Sequence, residues 1–99
     1  MTIAEFRAAL AADAPPPDLR RALVALWHDA KGDWETAHRV AQDVEDETGA
    51  WVHAYLHRKE GDASNAAYWY RRAGRPIARV ALDKEWEEIV TALLASAAR

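Results

Sequence analysis

The sequence predicts an all-α protein, a short α-α superhelix of about three antiparallel helical hairpins in one domain of 99 residues. Three observations carry that prediction. The segment from His28 to Ala37 recurs from His57 to Ala66, and both copies fit the frame H-x3-G-D-x3-A at an offset of 29 residues. Apolar side chains recur three and four apart, the spacing of one helix face. Alanine is frequent, β-branched runs are few, and no segment carries a strand signal.

The first helix begins at once. Thr2 and Glu5 form a capping box, each side chain serving the other residue's backbone N–H. Ile3, Phe6 and Leu10 share one face. The run Ala14-Pro15-Pro16-Pro17 then stops the helix, because proline has no N–H to donate. Pro17 is placed to open the second helix, whose apolar stripe is Leu19, Leu23, Leu26, Trp27 and Ala30. Gly32 ends it, since glycine tolerates the left-handed backbone that follows many helices. Asp33 reads as the N-cap of the third helix, its carboxylate accepting free N–H groups of the first turn. Ala37, Val40, Ala41 and Val44 form the buried stripe there, and Thr48-Gly49 reads as the end. The fourth helix is expected from about Ala50 to Glu60, with Val52, Tyr55 and Leu56 inward. Gly61-Asp62 repeats the punctuation, and the fifth helix runs from Ala63 to Ala73 before Gly74. Residues 75–82 read as loop. Asp83 caps a last helix with Trp86, Ile89, Val90, Leu93 and Leu94 on one face.

The offset supplies a cross-check. It pairs Leu23 with Val52, Leu26 with Tyr55, Trp27 with Leu56, Ala37 with Ala66 and Val40 with Trp69, apolar on apolar throughout. The small alanines allow close approach within each hairpin. Such units bury a continuous core by stacking, and their ends need covers. The organisation expected is therefore an N-terminal capping helix over 1–14, repeats over 19–48 and 49–76, and a C-terminal capping helix over 83–98.

Lys31-Gly32-Asp33-Trp34-Glu35-Thr36-Ala37 and Glu60-Gly61-Asp62, followed by Ala66-Ala67-Tyr68-Trp69-Tyr70-Arg71-Arg72-Ala73-Gly74, resemble a tetratricopeptide or Sel1-like repeat. Those families end their first helix near a glycine and set an alanine in the middle of the second. The resemblance spans about 19–76 and implies a TPR-like fold. The offset of 29 is shorter than the tetratricopeptide period of about 34 residues, and there are two copies. The stretch from His53 to Gly74 is also similar to a small family of uncharacterised microbial proteins with the run HAYLHRKEGD…NA-YWYRRAG. That family brings no established activity.

Composition excludes several chemistries. With no cysteine there are no disulfides, thiolate metal sites or cysteine nucleophiles, which is compatible with a reducing cytoplasm. A net charge of −3 argues against nucleic-acid binding, which requires a basic surface. No basic region followed by an apolar run opens the chain, and no apolar run reaches bilayer length, so neither secretion nor a membrane is expected. Asp43, Glu45, Asp46 and Glu47 are acidic and Arg58, Lys59, Arg71, Arg72, Arg75 and Arg79 basic; these clusters read as solvated helix faces. Each glycine follows a helix, so no phosphate-binding loop is present.

Histidine and the aromatic residues remain. His53 and His57, four apart on the fourth helix, project from one face, a common metal-binding spacing. His28 occupies the matching place in the second helix and is the expected third member of any cluster. The plainer reading of His28 and His57 is a helix C-terminal histidine favoured by the dipole, facing Asp33 or Asp62. His38 reads as surface. Trp51 gains no partner from the repeat; it is either exposed or packed against the last helix. Tyr68, Trp69 and Tyr70 span too much arc to face inward together; the repeat turns Tyr68 outward, beside Arg71 and Arg72. Exposed tyrosine and arginine suit protein recognition.

The expectation is a non-catalytic interaction module, not an enzyme. It would take a protein or peptide on a groove lined by helices two and four, with His28, His53, His57, Tyr68 and Arg72 as binding residues. No catalytic residue, cofactor or resident metal is assigned. One alternative is a metal-binding protein using His28, His53 and His57. Another is a homodimer that shares the apolar face of the last helix.

Overall fold

The structure is a computed structural model that describes residues 1–97. It is all-helical: α1 (Ile3–Ala9), α2 (Arg21–Ala30), α3 (Trp34–Gln42), α4 (Glu47–Glu60), α5 (Ala63–Ala73) and α6 (Leu82–Ala97), with no strand among the described residues. The helices pack in pairs, α2 on α3 and α4 on α5, and α3 joins the two hairpins by packing on α4. Residue 98 of the expected C-terminal cap lies outside the described residues.

The expected punctuation is present. Thr2 N–H donates to Glu5 Oε1 at 2.8 Å and Glu5 N–H returns to Thr2 Oγ1 at 3.1 Å, closing the capping box. Asp33 accepts from Thr36 N–H at 3.1 Å and Asp62 from Asn65 N–H at 3.2 Å. Before each cap stands a glycine with positive φ, 86° at Gly32 and 91° at Gly61, a conformation costly for any residue with a Cβ. In both turns the aspartate N–H donates to the carbonyl of a histidine, Asp33 to His28 at 3.0 Å and Asp62 to His57 at 2.9 Å. The His-to-Asp frame thus records a main-chain turn used twice.

Some boundaries differ from expectation. α1 stops at Ala9, well short of the prolines. Donors from α2 and its C-cap meet carbonyls at and just past its end: Trp27 Nε1 donates to Ala9 at 3.2 Å, and Lys31 Nζ to Leu10 at 2.6 Å and Ala12 at 3.2 Å. α3 ends at Gln42, not at Thr48-Gly49, and α4 begins at Glu47. The cause is Asp46, whose carboxylate accepts from the N–H groups of Thr48 at 3.0 Å and Gly49 at 3.2 Å and so starts a helix there.

α6 lies across α2 and α4 and also meets α1. Trp86, Ile89, Val90 and Leu93 enter the main core beside Phe6, Leu26 and Val52. Trp86 Nε1 donates to the Leu26 carbonyl at 3.0 Å. Trp51 is buried as well, with the Arg75 guanidinium 3.3 Å from its ring centre. Two carboxylates are buried among these helices with their partners: Asp29 bonds Tyr55 Oη and Lys59 Nζ, both at 2.9 Å. Glu85 bonds Arg58 at 2.8 Å and accepts from Tyr70 Oη. Burial beside these carboxylates pushes both tyrosine hydroxyls far above their ordinary pKa, so they act as fixed donors.

Candidate functional site

Two pairs of aromatic side chains spaced four apart meet where α3 packs on α4. Trp34 and His38 leave one face of α3, and His53 and His57 leave one face of α4. α5 adds Trp69. His38 stacks on Trp34 with ring centres 4.9 Å apart and planes 9° from parallel. His53 stacks on Trp69 at 4.0 Å and 10°. Between these two stacks the three imidazoles face one another: His38 to His53 at 4.6 Å, His38 to His57 at 5.0 Å and His53 to His57 at 4.8 Å. Trp34 Nε1 donates to the Leu56 carbonyl at 2.8 Å, tying α3 to α4 at the level of the cluster.

The cluster is largely buried and short of hydrogen bonds. His53 is 4% exposed, His57 is buried and His38 half-buried. Desolvation, reinforced by His38 and His57, pulls the His53 pKa down to about 4, so its ring is neutral at pH 7. Burial, then the neighbouring His57, also lowers His38. His57 Nδ1 meets Glu60 Oε2 at 2.6 Å. A carboxylate accepts, so Nδ1 carries a proton, and in the neutral ring Nε2 is then the free acceptor. His38 Nε2 is buried with no hydrogen-bond partner. One ring nitrogen from each of His38, His53 and His57 lies within 4.8 Å of the other two.

His53 also borders a groove of about 800 Å³ between the ends of α3 and α5 and the start of α4. Trp69 and Arg72 line one wall, Glu45, Asp46 and Glu47 another. The Arg72 guanidinium is 5.1 Å from the Trp69 ring centre and donates to Tyr68 Oη at 3.2 Å. Tyr68 is 45% exposed.

Of the residues singled out from sequence, His53 and His57 meet in the cluster, and Tyr68 and Arg72 meet each other on α5 beside it. His28 does not join them. Its ring lies edge-on to Trp27, 5.1 Å away on α2, and the Asp33 carboxyl nearby is held low chiefly by the hydrogen bonds from Thr36. The third histidine is His38, which reads as surface in the sequence. His57 pairs with Glu60 rather than with Asp62. The i, i+4 pair Trp34 and His38, parallel to His53 and His57, is the sequence signal for this site.

The groove expected between α2 and α4 is filled by α6. On the apolar face of α6, Trp86, Ile89, Val90 and Leu93 are buried in the same contact. Among the described residues, no helix is long and apolar enough to cross a membrane. Compared with known protein families, with curated proteins and with solved structures, the chain matches none.

Proposed function

We propose that the chain is a non-catalytic interaction module of TPR-like, helical-repeat character that takes a peptide or protein segment in the groove between α3, α4 and α5. The observation that carries this reading is the contrast between the two faces. α6 covers the α2–α4 face, whereas the other face keeps an open groove walled by Trp69 and Arg72. Tyrosine, tryptophan and arginine are the residue types on which binding energy concentrates at protein interfaces. The opposite wall is acidic, so the fitting segment carries a basic side chain next to an apolar one. This reading sets the module in the cytoplasm, in keeping with a chain free of cysteine.

Capture from host lysate tests it. Wild type, the Tyr68→Ala, Arg72→Ala double variant and an Arg79→Ala control are compared at equal amounts. A partner that is lost with the double variant and kept by the control supports the groove. Partners shared equally by all three proteins would place recognition elsewhere.

A further inference from the structure

We propose that His38, His53 and His57 form a three-imidazole site for one divalent transition-metal ion of the zinc, cobalt or nickel type. The site is separate from the interaction reading and stands or falls without it.

Aromatic packing alone accounts for the stacked rings. It does not account for their nitrogens. A core that needed only flat side chains at these places would be filled by phenylalanine, which has no polar atom to bury. Here His38 Nε2 is buried and unpaired. Such an atom is rare in a folded protein and calls for a partner, and in the tautomer protonated at Nδ1 it has a lone pair to offer.

Two features beyond proximity favour a metal ion. First, the donors come from rigid elements. His53 and His57 stand on adjacent turns of α4, and Trp34 pins α3 to α4 through its bond to Leu56. Second, His57 has the orienting carboxylate that metal-binding histidines characteristically use. Glu60 accepts from Nδ1–H, which fixes the tautomer and presents Nε2 as a ligand.

The dimensions are close to those required. Zinc–nitrogen bonds of about 2.0–2.1 Å at tetrahedral angles set ligand nitrogens roughly 3.3 Å apart. The three nitrogens already lie within 4.8 Å of one another, so small side-chain rotations close the set. Trp34 and Trp69, stacked on the outer faces of His38 and His53, confine those rotations. Three imidazoles supply nitrogen donors and no negative charge, so the ion is one that imidazole suits. Magnesium and calcium, which require several oxygen ligands, do not fit. A fourth position remains for water.

The experiment uses untagged, metal-free protein titrated with zinc chloride by calorimetry, with cobalt(II) absorption as a second readout. Variants are His38→Phe, which keeps a flat ring against Trp34, Glu60→Gln and His28→Ala. Thermal melts without metal establish that each is folded. The expected result is one ion per chain, a tetrahedral cobalt spectrum and a melting temperature raised by zinc but not by magnesium. His38→Phe loses at least about a hundredfold in affinity, Glu60→Gln about tenfold, and His28→Ala nothing. Folded wild type that takes up no stoichiometric zinc overturns the proposal. So does His38→Phe protein that binds zinc as well as wild type, since the ion would then sit on other histidines.

Discussion

Gly49 sits inside the first turn of α4, where alanine is the better helix former by about 1 kcal/mol. Its surroundings reverse that preference. A Cβ there would stand 2.6 Å from Val44 Cβ and closer still to the Val44 carbonyl oxygen. Gly49→Ala should therefore destabilise the fold by about 1–3 kcal/mol, the usual cost of overpacking. A urea midpoint at or above that of wild type would show that the α3–α4 connection simply moves aside. Asp46, three residues earlier, gives a pH prediction. Hydrogen bonds from Thr48 hold its carboxyl below the ordinary 3.8, with further backbone bonds from Gly49 and Thr48. Its folded pKa is below the unfolded one, so its stabilisation is complete above about pH 4. It is lost as pH falls through the lowered value. Asp46→Asn keeps an N-cap without a charge and should flatten the stability profile below about pH 4. Profiles that superimpose on that acid arm would remove Asp46 as a cause.

Among the elements, α6 is held by more than its apolar face. Glu85 is 2% exposed and reaches back to Arg58 on α4 and Tyr70 on α5. Arg58→Ala leaves that carboxylate buried without its cation, and breaking a buried pair from one side costs about 3–5 kcal/mol. Glu85→Gln should cost less, because Arg58 is partly exposed and can be solvated. Equal urea midpoints for the two variants would mean that the ion pair does not fasten α6. The sequence carries helix number and type well, because capping aspartates, glycine stops and a 3.6-residue apolar period act within a few residues of one another. It carries the α4 start badly: Thr48-Gly49 imitates a helix end, and what matters there is the side chain of Asp46 and the contact with Val44. The histidine site is half legible for a related reason. His53 and His57 share a helix, so their spacing brings them together. The third member depends on which turn of α3 crosses α4. The repeat pairs His28 with His57 by position, but equivalent positions stand on equivalent helices and do not thereby touch. His38 sits on the neighbouring helix that does.

At the scale of the molecule, two hairpins are fewer than a free-standing solenoid normally uses, since each repeat depends on a neighbour to cover its apolar face. Here the missing neighbour is α6. It is not a further copy of the repeat, and it crosses both α2 and α4, which is why their face holds a helix of the same chain in place of a partner. Trp86, Ile89, Val90 and Leu93 are all buried in that contact, and the Phe6 ring of α1 lies 5.8 Å from Trp86. Each such side chain contributes about 1.5–3 kcal/mol on burial, roughly 6–12 kcal/mol together. That equals the whole net stability of a typical small domain, about 5–15 kcal/mol. α6 is thus part of the core and not a detachable lid. A chain ending at Ala81 should lose its cooperative thermal transition and self-associate in sedimentation through the uncovered α2–α4 face. A separate peptide of residues 82–97 should restore the transition. If the shortened chain instead melts cooperatively as a monomer, the two repeats suffice alone. The α2–α4 groove would then be a second place where a partner helix could bind, in competition with α6.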